Sequence, residues 1–293
     1  MSSTSGGDGS IPSAPAAELR LVVGSYNIHG GVGSDGVRDL ARIARVVKGL
    51  GADIVALQEV GGQPPAAEAA TDAAADAAAA AEAADAAAEL ARETQMLAIR
   101  GFTMRRRGAD YGNLVLTRFP PLSVRKLDLS VGNQEPRGAL DITFDISGAH
   151  VRLIATHLGL VPGERRAQVK RIVELVRTGA AGDEAATLLL GDINEWWAFG
   201  RPLRWLHRCF EGRAHGDRTF PARWPVFALD RIWVHPKRAL VRYQVFRGPE
   251  TRVASDHLPV RAELALALEA VTASGGQGLQ QGDGQVREHV AGG

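Results

Sequence analysis

Residues 186 to 197 read ATLLLGDINEWW. Thr187 and three successive leucines show no polar alternation, which describes a strand covered on both faces; a strand with one wet face alternates instead. The run then stops at Asp192 and Asn194. Such an ending reads either as a turn former capping the next element or as a pair of polar groups facing a shared site.

The same break recurs along the chain. Asn27 follows LVVGSY, Glu59 follows DIVALQ and His157 follows LIAT. Asp230 lies inside ALDRI, and Asp256-His257 precede LPVRAEL. Each is ordinary taken alone; together they describe one Glu, up to three Asp, two Asn and two His at strand ends. Nine strand-like segments are expected: Leu19–Ile28, Asp53–Val60, Asn113–Phe119, Gly138–Ile146, His150–Leu158, Ala186–Ile193, Ala228–His235, Leu240–Phe246 and Leu258–Leu266. Gly138–Ile146 and His150–Leu158 form a hairpin through Ser147-Gly148-Ala149. Helical spacing marks Val37–Leu50 and Glu164–Thr178, with Leu203–Cys209 a shorter helix and a long Ala-rich helix expected over 66–100. These elements do not alternate strictly. Two packed sheets with helices outside are the layered solution.

With 293 residues and 45% hydrophobic side chains, there is ample material for a core. One domain is expected from 18 to 268, after a disordered arm at 1–17 and before a Gly/Gln-rich tail at 269–293. Thirty-four basic against 33 acidic side chains make no global electrostatic case for a nucleic-acid backbone. Cys209 is the single cysteine, which excludes an intrachain disulfide and an all-cysteine metal site. The N-terminal stretch lacks the basic and apolar regions of a signal peptide, and acids interrupt the Ala-rich segment at 66–88, so no membrane span is expected. The cytoplasm is the expected compartment.

The oxygen-rich inventory suits Mg²⁺, with Mn²⁺ as substitute, better than Zn²⁺. Neither a GxxxxGK[ST] loop nor an HExxH pair is present. The chemistry that remains is attack of water on a phosphorus ester, with imidazole or carboxylate taking the proton and His or Asn donors meeting phosphoryl oxygens.

The quoted segments, together with Asn113 in YGNLVLTRFP, resemble in order the endonuclease/exonuclease/phosphatase superfamily, the deoxyribonuclease-I-like metal-dependent phosphohydrolases. The resemblance runs from about residue 20 to 264. It implies an α/β (α+β) four-layered sandwich: two mixed β-sheets face to face, helices outside, and the site at one edge. It implies Glu59 as principal Mg²⁺ ligand, with Asn27 and Asp256 completing the metal environment. Asp192 would orient or deprotonate water, Asn194 contact phosphate, His157 stabilise the transition state, and His257 paired with Asp230 act as base or phosphate contact. Asn113 would touch phosphate or shape the site. Arg137 reads either as a phosphate contact or as a sheet-edge arginine paired with an acid, and Arg165, opening a helix, either pairs locally or serves the site.

Between Asp192 and Asp230 fall four of the five tryptophans, with Phe199, Phe220, Phe227 and several arginines. This interval reads as a base-stacking surface, a pocket wall, a lipid-headgroup site or core. The expected activity is Mg²⁺-dependent phosphoester hydrolysis, a phosphodiesterase foremost, with a small molecule or lipid headgroup preferred and nucleic acid retained as substrate. The alternatives are a DNA or RNA endonuclease and a noncatalytic binding scaffold.

Overall fold

The computed structural model describes residues 18–61, 86–106, 109–179, 184–214 and 216–268. The expected arm at 1–17, most of the Ala-rich segment and the tail at 269–293 lie outside the described residues.

The run that opened the sequence reading is β8 (Ala186–Asp192), and all of its residues are buried. It lies in a five-stranded sheet ordered β5 (Pro121–Asp128), β6 (Gly138–Ile146), β7 (Ala149–His157), β8, β9 (Asp230–His235). A six-stranded sheet has the order β10 (Leu240–Val245), β11 (Val260–Ala267), β1 (Glu18–Asn27), β2 (Ile54–Gly61), β4 (Ala109–Thr117), β3 (Leu97–Arg106). Both sheets are mixed: β1 and β2 run parallel in one, β7 and β8 in the other.

Side-chain alternation assigns the layers. Leu188 and Leu190 of β8 face the sandwich interior with Val23, Ile54, Val115, Ile142 and Ile232. Leu189 points the other way, onto Val169 and Ile172 of α3 (Pro162–Thr178) and Leu203 and Leu206 of α4 (Arg201–Cys209). On the far side, Leu57 and Leu116 of the larger sheet meet Ile43, Val47 and Leu50 of α1 (Leu40–Leu50) and Leu90 of α2 (Ala86–Thr94). Helix, sheet, sheet, helix is the expected four-layered, deoxyribonuclease-I-like arrangement. α1 is delimited locally, with Asp39 accepting from Arg42 N at 2.8 Å and Gly51 closing the last turn at φ 57°. No helix among the described residues is long and apolar enough to cross a membrane.

Two expectations are corrected. Within the described residues, the helix expected to run to residue 100 ends at Thr94, and Leu97 opens β3. Gln95, at φ 57°, turns the chain, and Ile99 then packs in the intersheet core. Leu97 and Ala98 do fall at helical spacing from Leu90 and Thr94, but pairing with β4 overrides that local preference. β5 was not expected at all. It is an edge strand whose Leu122 and Val124 are exposed beside Arg125 and Lys126, so it carries little apolar alternation, while charged side chains discourage further pairing.

The topology gathers chemistry at one edge. The parallel strands β1, β2, β7 and β8 bring Asn27, Glu59, His157 and Asp192 to their C-terminal ends. Antiparallel partners enter there: β9 starts at Asp230, paired with Asp192, and β11 follows Asp256-His257 alongside β1.

Leu189→Ala should cost about 2–5 kcal/mol through a cavity beneath α3 and α4. Asp39→Ala, which removes only the α1 cap, should cost about 1 kcal/mol. Urea denaturation of both variants tests this layer assignment, and equal losses would contradict it.

Candidate active site

β7 and β8 pair so that His157 stands beside Asp192. Gly191, at φ 148°, makes the close approach possible, because a Cβ there would collide with the Thr156 carbonyl. Asp192 is buried. Its Oδ1 accepts from Asn194 N at 2.9 Å, and its Oδ2 accepts from Asn27 Nδ2 at 3.0 Å. The same Asn27 amide donates to Glu59 Oε1 at 2.9 Å, so one carboxamide ties the ends of β1 and β2 to the facing sheet. Asn27 Oδ1 accepts from His29 N at 3.0 Å, which leaves the amide one orientation.

Two imidazoles flank Asp192 in different charge states. His157 Nε2 lies 3.5 Å from Asp192 Oδ2 and 4.0 Å from Glu59 Oε1. Its Nδ1 meets Arg137 Nη1 at 3.0 Å. A guanidinium can only donate, so Nδ1 accepts and the ring hydrogen sits on Nε2, facing the carboxylates. Asn194 Nδ2 donates one of its two amide hydrogens to Leu158 O at 2.9 Å and lies 3.0 Å from Nε2, while the Arg137 guanidinium sets the tautomer. Burial, then the Arg137 charge, hold His157 down at about 3, so it is a neutral donor.

His257 is the cationic one. Nδ1 donates to Asp230 Oδ2 at 2.9 Å and Nε2 lies 3.7 Å from Asp192 Oδ2. Burial alone would lower its pKa, but Asp230 and Asp192 together push it up to about 10. Asp192 moves up to about 6, chiefly through burial and despite the His257 charge. Burial also opposes ionisation of Glu59, yet His157, the Asn27 hydrogen bond and His29 bring its carboxyl below the ordinary value.

Two of these residues sit in left-handed backbone: Glu59 at φ 58°, where β2 slips register against β4, and Asn194 at φ 52°. A neighbour, His29, is left-handed at φ 49°. Clustering of such conformations aims side chains at the cost of local strain, a pattern typical of working sites.

Asp256 is half exposed, with its Oδ1 3.3 Å from Ser255 Oγ and 3.9 Å from His29 Nδ1. Ser255 Oγ donates to Asn27 O at 2.8 Å, which links the 255–257 turn to β1. Asn113 is buried and donates to Gly138 O at 3.0 Å. Arg137 pairs with Glu135 at 3.0 Å, the acid-paired reading of the sequence, and also meets His157.

Tyr111 escaped the sequence reading, whereas Arg165 was named there with two alternatives. Tyr111 donates to Glu59, and burial together with that carboxylate pushes its phenol well above the ordinary value. Arg165 is buried and ties two exit loops together: Nη1 donates to Gly159 O and Leu160 O after β7, and Nε lies 3.5 Å from Glu195 after β8. One helical turn on, Gln168 accepts from Gly159 N at 2.9 Å and donates to Glu164 at 2.9 Å. Thus the first turns of α3 hold the loops that follow His157 and Asp192. The signal available was ERRAQ itself, charged and amide residues on the face that also carries Val169 and Ile172 into the core.

Asp192, Asp230 and His257 offer ligand atoms within 4.8 Å of one another and could hold a metal ion. His257 and Asp230 are already bonded to each other, although Asp230 Oδ1 is buried without a partner. Of the residues expected to hold a hard cation, Glu59 accepts from Asn27, and Asp256 follows Ser255, whose Oγ donates to Asn27 O.

The family model described as Endonuclease/Exonuclease/phosphatase family matches residues 24–257. The uncharacterized protein YbhP of Escherichia coli is 36% identical over 165 residues, covering 53% of this chain and 63% of YbhP. Among solved structures, an endonuclease/exonuclease/phosphatase from Beutenbergia cavernae superposes with TM-score 0.63 at 23% identity, over 85% of this chain and 72% of that one. A mannosyl-6-phosphatase of Bacteroides thetaiotaomicron gives TM-score 0.62 at 17% identity, over 83% and 99%.

Arg165→Ala should cost roughly 3–5 kcal/mol by leaving Glu195 buried and unpaired. The double replacement Arg165→Leu with Glu195→Leu should cost less than the single one. A denaturation cycle on the purified variants decides; additive losses would mean that the pair is not coupled.

Proposed function

The chain belongs to the endonuclease/exonuclease/phosphatase family, and from that premise we propose that it is a Mg²⁺-dependent phosphodiesterase acting on a small molecule or lipid headgroup. The carrying observation is the Asn27 amide bonded at once to Glu59 and Asp192, which draws the polar ends of both sheets into one cluster.

In this reading Glu59, Asn27 and Asp256 hold the cation. The hard oxygens are those of the Glu59 and Asp256 carboxylates; the Asn27 amide orients Glu59 through Nδ2, the Glu59 carboxyl is kept ionised, and a left-handed backbone aims it. When bound, Mg²⁺ neutralises charge on the phosphoryl and leaving oxygens. Asp192, ionised at neutral pH, takes the proton from the attacking water. Its position between Asn27 and the Asn194 backbone fixes the direction of that transfer. His157, neutral and with its hydrogen on Nε2, donates to a phosphoryl oxygen, and the Asn194 side chain borders the same oxygen. His257, held cationic by Asp230, meets the charge that grows on phosphorus-bound oxygen. Arg137 fixes the His157 tautomer, and Asn113 ties β4 to β6 beside the cluster. A noncatalytic scaffold has no chemical need for one neutral and one cationic imidazole with their acids.

Turnover of bis-p-nitrophenyl phosphate with Mg²⁺, abolished by EDTA, is the first test. Turnover of phospholipid or small diesters with intact plasmid and oligonucleotides supports the reading, whereas cleavage of nucleic acid alone replaces it with the endonuclease.

Glu59→Gln should raise the Mg²⁺ concentration giving half-maximal rate. Asp230→Asn should lower kcat by about a hundredfold or more at unchanged metal dependence, because it uncharges His257. If Asp230→Asn shifts the metal requirement and Glu59→Gln does not, the ion sits at the Asp192–Asp230–His257 trio.

The base also sets a pH dependence. A carboxyl raised to about 6 is progressively protonated as pH falls through that value, so kcat/KM should decline there. An acid limb at the ordinary 3.8 would remove Asp192 as the base.

A further inference from the structure

Part of the tryptophan-rich interval, Trp205 included, packs against the core, but its loops do not. Trp197 is 75% exposed, Phe199 80% and Trp224 81%, values far above those expected for rings that size. Exposed aliphatic side chains extend the surface, with Leu160 and Val161 ahead of α3 and Val226 beside Trp224. Trp197 and Phe199 share a groove with Pro162, the residue after Val161, so the two apolar loops are neighbours.

The surface flanks the candidate active site. Trp196 packs edge-on against Phe227 at 4.7 Å and Phe220 at 5.8 Å, and Phe220 lies 4.8 Å from the His257 ring. The 196–199 and 220–227 loops therefore border that imidazole.

Its charge is predominantly basic. Residues 196–229 hold six arginines, no lysine and two acids, in a chain whose net charge is only +1. All six are exposed. Arg201 lines the groove of Trp197 and Phe199, Arg204, Arg213 and Arg218 lie with Phe199 and Val226, and Arg223 borders Trp224, whereas Arg208 lies apart beside Trp205 and Lys170. Rings, branched aliphatics and guanidinium groups side by side match the interface of an anionic bilayer. Aromatic rings settle there at headgroup depth, aliphatic chains reach the acyl boundary, and arginines keep their charge on lipid phosphate. A single-stranded nucleic acid would use the rings and the arginines, but Leu160, Val161 and Val226 offer no face for a base to stack on.

We propose that the loops at 160–161, 196–199 and 220–227 form a docking surface for an anionic phospholipid membrane, which sets the candidate active site against headgroup phosphoesters. The inference builds on the phosphodiesterase reading by naming where its substrate lies.

The test is sedimentation of the full chain with vesicles of phosphatidylcholine alone and of phosphatidylcholine mixed with phosphatidylglycerol. Binding should require the anionic lipid and weaken as salt is added. Replacing Trp197, Phe199 and Trp224 together by Ala should cut partitioning by about tenfold or more per ring that inserts. The same variant should keep its secondary structure and its turnover of soluble bis-p-nitrophenyl phosphate. A chain that hydrolyses the soluble diester but ignores anionic vesicles overturns the docking surface alone. One that binds vesicles through these rings yet hydrolyses no phosphoester upholds docking and overturns the catalytic reading. Affinity lost by the triple variant for a single-stranded oligonucleotide, or self-association lost by it, with no vesicle binding, overturns the membrane assignment.

Discussion

A carboxylate shut away from water must be surrounded by donors, and Asp192 is the one this architecture is built around. Its partners come from four directions: the Asn27 amide across the sandwich, the Asn194 backbone after its own strand, and an imidazole on either side. That arrangement requires the two sheets to meet at one edge with their parallel strands pointing the same way. The intersheet core of Leu188, Leu190, Val23 and Ile54 supplies the adhesion, and the polar cluster forms where that core ends.

The electrostatics then separate two imidazoles of the same chemical type. Burial, helped by Arg137 on its far nitrogen, keeps His157 neutral, and Arg137 fixes its tautomer, while Asp230 on the far nitrogen of His257 keeps that ring cationic. A single site thus presents a neutral donor, a cation and a carboxylate of raised pKa within a few ångströms, set by burial for His157 and Asp192 and by carboxylate neighbours for His257. α3 contributes indirectly: the chain leaves β7 and β8 through loops that Arg165, Gln168 and Glu195 tie down.

Much of this was legible in the sequence because apolar runs ending in acid, amide or imidazole announce both a covered strand and its polar terminus. ATLLLGD reads as a doubly covered strand and is one, and Asn27, Glu59, His157 and Asp230 stand out in the same way. What stayed hidden had weak or misleading local signals. β5 sits at an edge with its apolar side chains exposed, so no alternation marks it. Leu97 and Ala98 fit a helical stripe, and only pairing with β4 makes them strand. Tyr111, His29 and Glu195 have ordinary neighbours in sequence, and their places at the cluster arise from register slip and left-handed backbone, which composition does not encode. The tryptophans of 196–224 showed the reverse problem: their density was visible, but core and surface share that composition.

The central claim is spatial, that one phosphate and one divalent cation share the cluster around Asp192. Anomalous diffraction from crystals grown with Mn²⁺ and inorganic phosphate tests it directly. The account predicts a manganese peak about 2.1 Å from a Glu59 carboxylate oxygen, with the phosphate held between His157 and His257. Manganese and phosphate bound at separate surfaces, with Glu59 and both imidazoles untouched, would contradict it.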